Sequence, residues 1–207
     1  MAAAVLRIGL TGGIGACKST VARMLAERGA AIVDADAISR QLTAAGGAAM
    51  GAIADRFGPH ALAPDGSLDR AWMREKVLAH AALRHDLEAI VHPLVRAQTQ
   101  AQSAEAVRQG TRTLVFDVPL LVESGAWRSQ LDRVVVVDCP ESVQIERVLA
   151  RESGRPGWSA EAVCKMLSGQ ARREDRLAAA DICIFNDGLS LAALQGLVSQ
   201  LAKSFGL

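Results

Sequence analysis

Tyrosine is missing from this 207-residue chain, and its other aromatics are few: four Phe and three Trp. They are scattered (Phe57, Trp72, Phe116, Trp127, Trp158, Phe185, Phe205), which argues against a base-stacking platform for single-stranded nucleic acid. Charge of either sign is also not in excess. With 23 Lys and Arg against 22 Asp and Glu the formal charge is +1, so no whole-molecule field draws in nucleic acid or an anionic membrane. Apolar runs are short; none approaches the ~20 residues of a membrane span. The first residues lack the charged start and long apolar stretch of a signal peptide. A cytoplasmic protein without nucleic-acid or membrane partners is expected. Cysteine is sparse, at Cys17, Cys139, Cys164 and Cys183, with no C-x-x-C pair and no zinc spacing, so reduced thiols are expected. The four histidines, His60, His80, His85 and His92, show no H-x-x-x-H spacing, which disfavours a histidine-held metal.

What the chain does have is an alternation of apolar runs and helical patterns, with 50% hydrophobic residues to build a core. Val5 to Thr11 reads as a buried strand. Val21, Ala22, Met24 and Leu25 recur at helical spacing up to Gly29, and Ala31 to Val33 is a second strand ending in Asp34-Ala35-Asp36. Residues 46–110 are mostly helical: Leu68 to His80, Leu83 to Val91, and a further helix with Pro93 in its first turn running to Arg108. That block is too long for a simple crossover and reads as an acceptor-binding subdomain. Thr113 to Asp117 and Val134 to Asp138 are continuous apolar strands, each ending in aspartate at the carboxyl edge, where ligands bind in parallel sheets. A helix follows Pro140. The polar Glu152 to Trp158 stretch, with Gly154, Pro156 and Gly157, then links to a helix from Ser159 to Arg173. Asp181 to Phe185 is a fifth strand, and Leu191, Leu194, Leu197, Val198 and Leu201 mark a final amphipathic helix. The sum is an α/β doubly wound fold, a five-stranded parallel sheet with helices on both faces, plus the helical insert. Length and composition suit a monomer or a small homo-oligomer.

The most specific stretch is Gly12-Gly13-Ile14-Gly15-Ala16-Cys17-Lys18-Ser19-Thr20, between a strand and a helix start. This is the setting of a phosphate-binding loop, in which backbone N–H groups and a lysine wrap a nucleotide's phosphates. Lys18 would contact the β- and γ-phosphates of ATP, and the Ser19 hydroxyl would ligate Mg²⁺. One position departs from G-x-x-x-x-G-K-[ST]: Cys17 stands where glycine is expected. If that position requires positive φ, a β-carbon costs roughly 1 to 2 kcal/mol, about 5- to 30-fold in affinity. Cys17 also lies beside Lys18 at a helix N-terminus, a setting that favours thiolate and raises the alternative of thiol regulation.

Three further groups suit phosphoryl transfer. Asp117 ends an apolar strand, where it would support Mg²⁺ directly or through water; a turn or cap residue is its bland alternative. Asp36 would accept a proton from an acceptor hydroxyl, or else serve as a helix N-cap. Arg147, Arg151, Arg172, Arg173 and Arg176 flank the linker and following helix, as a solvated face or as arginines closing over the γ-phosphate; Arg147 is the candidate for that role.

Taken together, Gly9 to Gly15, Val33-Asp34-Ala35-Asp36 with Arg40, His92-Pro93-Leu94, Asp117 to Glu123, and Gln170 with Arg173 before Ala180-Asp181 and Asn186 resemble the dephospho-coenzyme A kinase family over nearly the whole chain. The resemblance implies a fold of the P-loop kinase type and transfer of the ATP γ-phosphate to the ribose 3′-hydroxyl of dephospho-coenzyme A. It implies Asp36 as base, Arg40, His92 and Arg96 lining the acceptor pocket, and Asn186 where the loop after the last strand borders the adenine. It also implies a lid at 152–173, beside a nucleotide-binding core of 1–45, 111–151 and 174–207 and the acceptor subdomain of 46–110. Another alcohol-phosphorylating P-loop kinase, or a weakened nucleotide or coenzyme A sensor, are the alternatives. Val122 replaces the aromatic residue frequent in the family motif.

Overall fold

Ile8 and Leu10 have no exposed surface, the mark of a strand covered by packing, and they sit in β1 (Leu6–Gly12) at the centre of the sheet. The computed structural model describes residues 5–125, 127–154 and 157–207, so Pro156 of the expected linker lies outside the described residues. After β1 come α1 (Lys18–Ala26), β2 (Ala31–Asp34), α2 (Ala35–Leu42), α3 (Met50–Phe57), α4 (Arg70–Ala79) and α5 (Ala81–Arg108). There follow β3 (Thr113–Asp117), α6 (Leu121–Ser124), β4 (Arg133–Asp138), α7 (Glu141–Arg151), α8 (Ala160–Ser168), α9 (Arg173–Ala178), β5 (Ile182–Phe185) and α10 (Leu191–Ser204).

The five strands are ordered β2-β3-β1-β4-β5. β1 pairs in parallel with β3, Leu10 opposite Asp117, and with β4, Gly12 opposite Val137; β4 pairs in parallel with β5. That register brings the loop after β1 and the aspartates ending β3 and β4 to one edge of the sheet. The expected α/β architecture is therefore present. Val135 and Val137 of β4, Ile8 and Leu10 of β1, Val21 and Leu25 of α1, and Leu194 and Val198 of α10 form one apolar cluster. Each such fully buried side chain contributes about 1.5–3 kcal/mol relative to exposure.

By contacts the chain divides into two compact units, Met1–Val33 with Ala106–Leu207, and Asp34–Glu105. The second unit has its own core of Ala49, Met50, Ile53, Ala61 and Met73, with Trp72, Leu87, Ile90, Val91 and Leu94 packed against it. Two expectations are corrected here. α5 is one 28-residue helix with Pro93 inside it, where a helix start had been expected. Proline removes one N–H and disfavours the interior of a helix, yet Ile90, Val91 and Leu94 on either side are held in the unit's core, and packing prevails. The helix from Ser159 to Arg173 is instead two helices. Ser159 caps the first through Ala162 N–H at 3.1 Å, but Ala171 N–H is diverted to Glu123 Oε1 at 2.6 Å and Arg172 is extended (φ −57°, ψ 149°), so α9 begins afresh.

Candidate active site

The loop between β1 and α1 is shaped by glycine. A β-carbon on Gly13 would collide with the Gln144 carboxamide, and one on Gly15 (φ +79°) would lie 2.6 Å from the Gln144 carbonyl oxygen. Gln144 of α7, completely buried, is thus the floor under the loop, tied down by its own bond from Nε2 to the Cys139 carbonyl at 3.0 Å. Cys17 closes the turn with φ 71°, the only non-glycine residue at positive φ among the described residues. The conditional cost at this position therefore applies: the left-handed region burdens a β-carbon by roughly 1 to 2 kcal/mol. The Cys17 carbonyl accepts from Thr20 and Val21 N–H at 3.1 and 3.2 Å, opening α1 and leaving the N–H groups of Lys18 and Ser19 without a carbonyl partner among the described residues. Such free donors at a helix N-terminus suit an anion.

Lys18 forms an ion pair with Asp117, both largely buried, which brings the predicted phosphate lysine and the predicted metal carboxylate together. Ser19 is exposed. A hydroxyl and a carboxylate are hard oxygen donors, and Mg²⁺ is commonly held by one or two carboxylates together with substrate phosphates and water. The residues present fit that ion, although the described residues contain no cluster of three or more His, Cys, Asp or Glu able to hold a metal.

The arginines separate by contact. Arg147, on α7, approaches Cys17 Sγ with Nη1 at 3.9 Å and so stands at the loop. Arg173 donates to both carboxylate oxygens of Asp138, as close as 2.7 Å, and this bonding raises its pKa. Arg172 holds Asp175 at 3.0 Å on the surface, Arg151 pairs with Glu152, and buried Arg176 donates to the Ala171 carbonyl. Asn186, buried at the end of β5, donates from Nδ2 to the Ala16 carbonyl at 3.1 Å and so braces the loop from the β5 side. Burial raises the Cys139 thiol above its ordinary value despite the opposing effect of Arg147, keeping it protonated at neutral pH.

In the helical unit the aspartate pair is resolved. Asp34 is the N-cap of α2: its backbone is extended (φ −90°, ψ 102°) and its Oδ1 accepts from Ala37 N–H at 2.8 Å. Asp36 lies within the first turn of that helix, is exposed, and its side chain has no hydrogen bond or ion pair among the described residues. Arg40 lies 3.7 Å from Asp34, an exposed pair of the kind that contributes little. His92 and Arg96 are one turn apart on α5, both exposed, and line a groove of about 390 Å³ with His85, Glu88, Ala89, Pro93, Ala97 and Gln100.

Gln144, Glu123 and Asp138 were not singled out as site residues from sequence. Gln144 had one signal, a polar residue four positions before Val148 on the apolar face of a helix.

Comparison with known proteins finds relatives over nearly the whole chain. The family model described as CoaE, dephospho-CoA kinase, matches residues 6–191. A dephospho-CoA kinase of Albidiferax ferrireducens is 53% identical over 203 residues, covering 98% of this chain and 94% of its own length. The crystal structure of TT1252 from Thermus thermophilus superposes with a TM-score of 0.79 at 30% identity, covering 97% of this chain and 98% of that one. A dephospho-CoA kinase from Campylobacter jejuni shares the fold at a TM-score of 0.68 and 24% identity, with 95% of each chain covered. Among the described residues no helix is long and apolar enough to cross a membrane. The chain, whose glycine-rich loop after β1 lies over buried Gln144, belongs to the dephospho-CoA kinase family of phosphotransferases.

Proposed function

We propose that the protein transfers the γ-phosphoryl group of ATP to the ribose 3′-hydroxyl of dephospho-coenzyme A, giving ADP and coenzyme A, and that Asp36 is its general base. The observation that carries this reading is the division of labour between the two aspartates. Asp34 satisfies the helix N-terminus, so the Asp36 carboxylate is left to accept a proton. Phosphorylation of a phosphate acceptor would need no base; an alcohol acceptor benefits from one by typically 10² to 10⁴ in rate.

Loop N–H groups and Lys18 would hold the β- and γ-phosphates, with Lys18 exchanging its bond to Asp117 for phosphate oxygen. Gly12, Gly13, Ile14, Gly15, Ala16, Cys17, Ser19 and Thr20 complete that cradle, and the turn opening at Asn186 borders the adenine. Ser19 and Asp117 would hold Mg²⁺, which supplies neutralisation of phosphate charge when bound. The 3′-oxygen attacks the γ-phosphorus as its proton passes to Asp36, and the bond from the γ-phosphorus to the β–γ bridging oxygen breaks to release ADP. Arg147 counters the charge that develops. Arg40, His92 and Arg96 would bind the acceptor's anionic groups, residues 46–110 forming the acceptor subdomain and 152–173 the lid over the core. A cytoplasmic monomer or small homo-oligomer fits this reading.

ADP release measured with dephospho-coenzyme A, nucleoside monophosphates and small polyols tests it. Turnover confined to dephospho-coenzyme A is expected; faster turnover with any other acceptor would overturn the assignment.

A further inference from the structure

Gln170 lies in the turn between α8 and α9, and its Oε1 accepts a hydrogen bond from Ile14 N–H of the phosphate loop at 3.2 Å. The partner is a donor, so the oxygen end of the carboxamide must face the loop and the two N–H donors of Nε2 lie at the other end. Among the described residues no acceptor takes those donors. The turn itself is fixed from both sides. Ala171 N–H donates to Glu123 Oε1 at 2.6 Å, Arg173 clasps Asp138 at 2.7 Å, and buried Arg176 donates to the Ala171 carbonyl. Gln170 is therefore not a chance surface contact: Glu123 of α6 and Asp138 of β4 anchor the turn that carries it, and Arg176 braces that turn from within α9.

A carboxamide pinned by its oxygen to a phosphate loop, with its donors unspent, has the chemistry of an anion ligand. We infer that Gln170 is a phosphate-binding residue, donating from Nε2 to an oxygen of the nucleotide polyphosphate while Oε1 keeps the Ile14 limb of the loop in place. The assignment rests on the kinase reading only in taking a nucleotide polyphosphate as the loop's ligand. It also gives a role to the break in the helix expected from Ser159 to Arg173. Ending α8 at Ser168 and restarting at Arg173 is what brings a side chain from this segment to the loop.

Calorimetric titration of MgATP and MgADP into the full chain tests this without any acceptor, so failure of the dephospho-coenzyme A assignment would leave the result intact. Gln170→Ala is expected to weaken MgATP roughly 10-fold, the usual loss for a hydrogen bond to a charged group, with an unchanged melting curve for the ligand-free protein. Weakening of MgATP alone assigns the contact to the γ-phosphate, and equal weakening of both nucleotides assigns it to the β-phosphate. Gln170→Glu keeps the acceptor for Ile14 N–H but replaces the donors with negative charge, and should bind more weakly still. MgATP binding by Gln170→Ala as tight as or tighter than wild type would overturn the inference, leaving Gln170 as a mere occupant of the loop. Wild-type affinity in Gln170→Glu would overturn it too, because the acceptor end alone would then account for the contact.

Discussion

The candidate nucleotide groups and the candidate acceptor groups differ in how far the protein itself engages them. In the sheet unit Lys18 is on Asp117, Arg147 reaches Cys17, Asn186 holds Ala16, and Gln170 holds Ile14. In the helical unit Asp36, His92 and Arg96 are exposed, and their side chains make no hydrogen bond or ion pair among the described residues. The first arrangement is preorganised by its own contacts, some of which a nucleotide bound as proposed would exchange. The second is a set of charged groups in water whose cost of binding is solvent displacement and side-chain ordering. Alterations to the nucleotide groups should therefore change chemistry and ATP binding together, whereas alterations to the acceptor groups should change acceptor KM or, at Asp36, kcat, with ATP affinity preserved.

The largest effect should come from Lys18→Ala, which removes the one ammonium of the loop and should reduce kcat by roughly 10² to 10³, the loss typical of deleting a single transition-state donor. A loss below tenfold in steady-state turnover would show that the loop acts without it. Arg96→Ala should raise the KM for dephospho-coenzyme A by about 10-fold or more with MgATP affinity unchanged; an equal loss for both substrates would break the comparison. Cys17→Gly should raise folding stability by about 1 to 2 kcal/mol in chemical denaturation with MgATP affinity little changed, because the left-handed backbone that burdens a β-carbon is already present without nucleotide. An unchanged denaturation midpoint would show that the turn stores no strain at that residue. Asp34→Ala removes the cap of α2 and should destabilise the fold by about 1 kcal/mol, measured by chemical denaturation.

The smallest effect concerns pH. Because burial raises the Cys139 thiol, the folded state keeps that proton longer than the unfolded one. Its contribution to stability is full below the ordinary thiol value of about 8.5 and is lost as pH rises through the folded value. Melting temperature should fall less steeply above that pH in Cys139→Ala than in wild type; parallel curves would remove the thiol from the account.

The phosphate loop and the aspartates ending β3 and β4 were legible in sequence because each depends on contiguous residues: an apolar run, a glycine cluster, a terminal carboxylate. Of the aspartate pair at 34 and 36, local pattern admits either as cap, and the extended backbone at Asp34 decides it. Other features depend on partners distant in sequence. α5 passes through Pro93 because side chains on both flanks are packed. The helix after Ser159 breaks because Glu123, 48 residues away, takes the Ala171 N–H. Gln144 under the loop likewise follows from the close packing of α7 on Gly13 and Gly15.

The proposed base role requires Asp36 to be free to take a proton because Asp34 does the capping. Steady-state turnover of Asp36→Asn against dephospho-coenzyme A, with MgATP affinity and melting temperature measured alongside, tests that directly. A fall in kcat of at least tenfold with affinity and melting temperature preserved is the predicted result. Unchanged kcat would contradict it and remove Asp36 from the role of base.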